Sequence, residues 1–129
     1  MHKSQLAGFI IDCQTDNIAQ AAEFWSSALG YAIRPAVESD DKNYVLLETA
    51  PDQLHVEVQK VVHPSRVHLD IETDDIEAEV ERLEKLGAKR VQQVQQWWVM
   101  EAPTGQRFCV VPVQRSNFEQ QANRWDQMG

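Results

Sequence analysis

The chain contains one motif twice. Residues 11–18 read IDCQTDNI and residues 69–76 read LDIETDDI, 58 positions further on. Asp12/Asp70, Thr15/Thr73, Asp16/Asp74 and Ile18/Ile76 are identical in the two copies. The adjoining segments are also alike: IAQAAEFWSSALG ends in Gly30 and IEAEVERLEKLG ends in Gly87. Apolar residues recur there at helical spacing, at Ile18, Ala21, Ala22, Trp25 and Leu29, then at Ile76, Val80, Leu83 and Leu86. A repeat of this size means one supersecondary unit used twice, each burying its apolar face with help from outside itself.

The order within each copy is strand, cap, helix, glycine stop. Alternation in Phe9, Ile11, Cys13 and in Val67, Leu69, Ile71 buries one face of each strand and turns the other away. Asp16 and Asp74 stand where an N-cap accepts from the helix's unpaired amides, and Gly30 and Gly87 fit the left-handed position after a helix. The likeness continues through two hairpins with Pro-led turns. One is YVLLE, Ala50-Pro51-Asp52-Gln53, LHVEVQ; the other is WWVME, Ala102-Pro103-Thr104-Gly105-Gln106, RFCVVPV. A short strand around residues 31–36, matched by 88–94, completes a β-α-β-β-β unit.

The expected fold is therefore α+β: two tandem β-α-β-β-β repeats, over about residues 7–60 and 65–114, forming curled mixed sheets around a groove. A C-terminal helical tail comes next, over 115–129, with Phe118, Ala122 and Trp125 on one amphipathic stripe. That stripe should cover either the chain's own surface or a second subunit. At 129 residues, a single domain over 1–129 is expected, large enough to bury about two thirds of its unfolded surface.

Several function classes are excluded early. Twelve Lys and Arg against twenty Asp and Glu leave a net charge of −8, which argues against nucleic acid or an anionic membrane as partner. No run of about 18 apolar residues spans a membrane. Asp12 interrupts the first apolar stretch too early for a secretory signal, so a cytoplasmic location is expected. Cys13 and Cys109, 96 positions apart, make neither a metal finger nor a disulfide framework.

These stretches resemble the vicinal oxygen chelate superfamily, which includes glyoxalase I, extradiol dioxygenases and bleomycin-resistance proteins, and most of all its glyoxalase-like domain branch. FIIDCQTDNIAQAAEFWSSALGY, RVHLDIETDDIEAEVERLEKLGA and APTGQRFCVVP carry the resemblance, in that order, from about residue 9 to 113. Metal-dependent members place four ligands on inward strand positions, typically His, Glu or Gln, His and Glu. Carried over, the first falls on Ile10, which has no donor, the third on His68, and the fourth on Cys109. The second falls on His55 if the hairpin is registered on its repeat partner, or on Glu57 by likeness to a V-E-V strand. A hard-metal site is thus disfavoured, and no cofactor is expected. A rearranged zinc site from His55 or Glu57, His68 and Cys109 stays chemically open, beside the plain reading of Cys109 as an inert buried thiol.

The inward faces supply Asp12, Gln14, His55, Glu57, Gln59, His68, Asp70 and Glu72. His68 has the residue type for proton transfer near neutral pH, with Asp12, Asp70 and Glu57 to tune or orient it. The plain alternative is a structural groove histidine hydrogen-bonded to Asp12 or Asp70. Trp97 and Trp98 alternate, so one indole faces the groove, where it can stack on a planar ligand, and one faces the helices. His63 belongs to the connection between repeats, and His2 to a disordered terminus. Two functions compete: binding of a small oxygenated or planar molecule with metal-independent lyase- or isomerase-type chemistry, or non-catalytic sequestration of a ligand as in bleomycin-resistance proteins. A metal-dependent glyoxalase or dioxygenase is third. A homodimer is expected from the resemblance.

Overall fold

The computed structural model describes residues 1–37 and 42–126. Among these, eight strands and three helices run in the order β1 (His2–Gln14), α1 (Ile18–Leu29), β2 (Tyr44–Leu47), β3 (His55–Val61), β4 (Arg66–Thr73), α2 (Ile76–Lys85), β5 (Lys89–Val94), β6 (Trp97–Glu101), β7 (Arg107–Pro112), α3 (Phe118–Gln121) and β8 (Asn123–Trp125). The fold is mixed α+β. Two compact units divide it: one is Gly8–His68, the other joins Met1–Ala7 to Leu69–Gly129.

In the unit Gly8–His68, the end of β1 runs parallel to β3, with Ile10 beside Glu57 and Asp12 beside Gln59, and β2 runs antiparallel to β3. Helix α1 covers one face. Ile11, Cys13, Leu47 and Val58 are buried there with Ile18, Ala21, Trp25, Tyr31 and Val56 packed against them. Burial pushes the Cys13 thiol up; the Trp25 contact opposes this and the Asp12 charge adds to it. Gly8 lies so close to β3 that an added Cβ would stand 2.1 Å from the His55 carbonyl oxygen. The short strand expected over 31–36 is reduced to a single bridge, Ile33 to Leu47, flanked by Arg34 N donating to Leu46 O and Glu48 N donating to Ala32 O. Pro35 ends it, since proline has no amide for a ladder.

In the other unit, β4 runs parallel to β7, and β7, β6 and β5 form antiparallel pairs. Helix α2 buries Val80 and Leu83 against Met100, Phe108 and Val110, with Ile71, Ile76 and Trp98 alongside. Both helices start in the same way, 58 residues apart. Thr15 Oγ1 accepts from Asn17 N at 3.0 Å and Thr73 Oγ1 from Asp75 N at 3.1 Å. Asn17 then caps Gln20 N, and Asp75 caps Ala78 N, each at 3.1 Å. The caps therefore fall one residue after the expected Asp16 and Asp74, because the threonine turn carries the chain one step further before the helix begins. Asp74 instead accepts from Lys3 N at 2.8 Å. Gly30 and Gly87 have φ of 77° and 108°, the left-handed values expected of them.

Two expectations about the termini are corrected. His2 is not in a disordered end: it lies in β1, 5% exposed, with Nε2 2.8 Å from Glu79 Oε1. The tail is helical only over Phe118–Gln121. Ala122 is extended, and β8 pairs antiparallel with the start of β1, His2 opposite Trp125. An open strand edge offers backbone partners that override the helical periodicity. The stripe still covers the chain's own surface. Phe118 is buried, and the Trp125 indole donates to Ser4 Oγ at 2.8 Å beneath the Arg82 guanidinium. Residues 127–129 of the expected tail lie outside the described residues.

Candidate functional site

Ile11 and Cys13 face α1, so strand alternation turns Ile10, Asp12 and Gln14 to the opposite face. Asp12 is 2% exposed there. Its Oδ2 lies 2.9 Å from His68 Nδ1, at the start of β4, and 3.7 Å from Arg66 Nε. A carboxylate only accepts, so Nδ1 carries a proton in this contact. The Asp12 Oδ1 atom is buried without a hydrogen-bond partner. Gln59, beside Asp12 in register, donates to the Tyr44 hydroxyl at 2.9 Å. Glu57 and His55 are half-buried on the same face of β3. An oriented imidazole on a buried carboxylate can take or give a proton.

In the other unit, Asp70 on β4 pairs in register with Cys109 on β7. Asp70 is buried and Cys109 half-buried. The four-cornered hard-metal set does not fit this chain. Ile10, at the first corner, is 3% exposed and has no donor, and the fourth corner is a thiol.

The remaining sequence-derived candidates divide by what they touch. Glu72 is fully buried, its Oε1 accepting from Gln114 N at 2.6 Å and Arg115 N at 2.9 Å, its Oε2 from Gln5 at 2.6 Å. It ties chain segments together. Gln14 likewise bonds the next loop, through Val62 O and Ser65 Oγ. Trp98 packs on the α2 side with the Arg90 guanidinium over its ring, which leaves Trp97, half-buried, on the opposite face. Tyr44 and Arg66 did not emerge from sequence. Arg66 shares the parity of His68 two residues earlier, a signal masked by its charge, which reads as solvated.

A model of the glyoxalase-like domain family matches residues 8–111. The chain belongs to that family. Solved structures agree on the fold. A hypothetical protein from Bacillus halodurans C-125 matches with a TM-score of 0.62 and 12% identity, over 88% of this chain and 97% of that one. Methylmalonyl-CoA epimerase from Mycobacterium tuberculosis matches with 0.55 and 14%, over 84% and 88%. The Mn(II)-bound glyoxalase from Novosphingobium aromaticivorans matches with 0.60 and 14%, over 89% of this glyoxalase-like domain and 41% of that protein. No curated protein matches the sequence. No helix among the described residues is long and apolar enough to cross a membrane.

Proposed function

We propose that this glyoxalase-like domain binds a small oxygenated molecule on the helix-free face of β1, β3 and the start of β4, and moves a proton on it with His68. The observation that carries the reading is the His68–Asp12 pair, a 2.9 Å contact between a 13% exposed imidazole and a 2% exposed carboxylate. Asp12 holds Nδ1–H and orients the ring for the proton exchange. The reaction class is lyase- or isomerase-type chemistry on a carbon acid beside a carbonyl, and no step is routed through a metal. The epimerases and the glyoxalase among the structural neighbours are in keeping with that class.

The test is hydrogen–deuterium exchange, monitored by NMR in deuterium oxide, on a panel of small 2-oxo and 2-hydroxy acids with their esters and thioesters. Wild type should exchange a carbon-bound proton in at least one compound, and His68→Gln should slow this by ~10²-fold or more. The net charge of −8 favours the second reading, a binder of cationic compounds. That reading gains if no compound exchanges while a cationic one binds. A homodimer goes with the lead proposal. Val67 and Leu69, 58% and 41% exposed on one face of β4, are apolar surface that a second copy would cover, and sedimentation at one chain mass would remove it.

A further inference from the structure

Arg66 stands beside the proton-transfer pair without belonging to it. It shares its face of β4 with His68, and its Nε lies 3.7 Å from the same Asp12 oxygen that His68 contacts. On its other side, one Nη2 hydrogen meets His63 Nε2 at 3.4 Å, while His63 Nδ1 lies 2.9 Å from the Pro64 carbonyl. A carbonyl only accepts, so Nδ1 carries the His63 proton and Nε2 is an acceptor for the guanidinium. Arg66 is thus held between a carboxylate and a neutral imidazole. Its side chain is 47% exposed, and its Nη1 group makes no hydrogen bond among the described residues. A guanidinium has five donors in a planar fork. Nε makes an ion pair at 3.7 Å and Nη2 one long hydrogen bond, so donors remain on the guanidinium, those of Nη1 among them. Two parallel N–H groups match the two oxygens of one carboxylate.

We infer that Arg66 binds a carboxylate on the substrate whose proton His68 moves. The inference rests on the proposed proton transfer and names its substrate class: a small carboxylic acid with its acidic carbon within reach of the imidazole. Asp12 joins the two functions. The one buried carboxylate orients the base and steadies the cation, so the anionic end of the substrate and its reacting carbon are registered by the same group. In a chain of net charge −8, an anion needs such a local cation to settle at all. His63 is a positioning residue, since it reaches the substrate only through Arg66.

Binding of the same acids and of their methyl esters, measured by isothermal titration on the whole chain, tests this. Wild type should prefer an acid over its ester by about tenfold or more, the worth of a charge-assisted pair. Arg66→Gln should bring that ratio near one while ester affinity and the melting temperature stay as in wild type. Arg66→Lys should restore part of it, because a point charge lacks the fork. His68→Gln should leave the ratio intact. An acid preference that Arg66→Gln abolishes, in a protein that exchanges no carbon-bound proton, would overturn proton transfer and keep the carboxylate site. Acids and esters that bind wild type alike would overturn the carboxylate assignment. So would a ratio unchanged in Arg66→Gln, or displacement of the acid by inorganic phosphate as readily as by another carboxylate.

Discussion

Asp12 is asked to do three things with one carboxylate. It is buried, it holds His68 Nδ1, and it faces Arg66. Asp12→Asn keeps the shape but can present an amide N–H to the ring, which favours the wrong tautomer. Its expected effect is a fall in turnover of ~10²-fold or more with a smaller loss of substrate affinity as Arg66 loses its carboxylate, read from kcat against KM. A rise in KM alone would make Asp12 a binding group. The pair itself was legible in sequence, because the repeat fixes strand parity and parity puts Asp12 and His68 on one face. Ile10, where the resemblance places the first metal ligand, is buried and has no donor. Elemental analysis should accordingly find no stoichiometric manganese, nickel or iron in purified protein, and one such ion per chain, lost in His68→Ala, would reverse that reading. Glu72 was not legible. Nothing in its spacing tells a groove carboxylate from one consumed by the Gln114 and Arg115 amides, since those partners lie more than forty residues away.

Between elements, the first strand is tied down where the sequence showed only a terminus. His2 on β1, Glu79 and Arg82 on α2, and Trp125 on β8 form one cluster. Glu79 Oε1 contacts His2 and Arg82 Nε, while its Oε2 receives the second Arg82 nitrogen at 2.8 Å. Burial alone would raise the Glu79 pKa, but hydrogen bonds from Arg82, His2 and Ser4 outweigh it and hold the carboxyl below its ordinary value of 4.5. A lowered folded pKa gives stability that is present above the unfolded value and lost as pH falls through the folded one. The melting temperature should therefore drop as acid is added below about pH 4.5, and Glu79→Gln should flatten that part of the curve while lowering stability at neutral pH by on the order of 3 kcal/mol. An equal acid slope in wild type and variant would remove Glu79 from the account. Gly8 is a second joint. With a Cβ at 2.1 Å from the His55 carbonyl, Gly8→Ala must push β1 off β3, at a cost of roughly 1–3 kcal/mol in chemical denaturation. Neither joint is visible in periodicity, because a buried histidine at position 2 and a close strand approach are tertiary facts. The helical spacing of Phe118, Ala122 and Trp125 failed for the same reason, once the open edge of β1 took residues 123–125.

At the scale of the whole chain, the compact units are not quite the repeats. The repeat boundaries read from sequence, about 7–60 and 65–114, track the motif, whereas the units divide at Gly8 and Leu69 and give Met1–Ala7 to the unit that holds the second repeat. The cause is the length of β1. At 13 residues it is about twice an ordinary strand, so its last residues pair with β3 while its first pair with β8. Sequence patterning exposes a strand's faces and not which neighbours its two ends will find, so the division was out of reach. The partners of residues 1–7 then make a directional prediction. Ser4 and Gln5 serve Trp125 and Glu72, His2 serves Glu79, and Lys3 serves Asp74, all within one unit. Removing residues 1–5 leaves Glu72 and Glu79 buried with fewer donors, which is costly for ionised groups. Native-state hydrogen exchange should accelerate in α2, the end of β4 and β8, while α1, β2 and β3 keep their protection. The double variant His2→Ala, Gln5→Ala should show the same pattern more weakly, which guards against global unfolding of the truncated chain. Exchange that quickens equally in both units, or first in α1 and β3, would show that the opening residues do not belong with the second repeat.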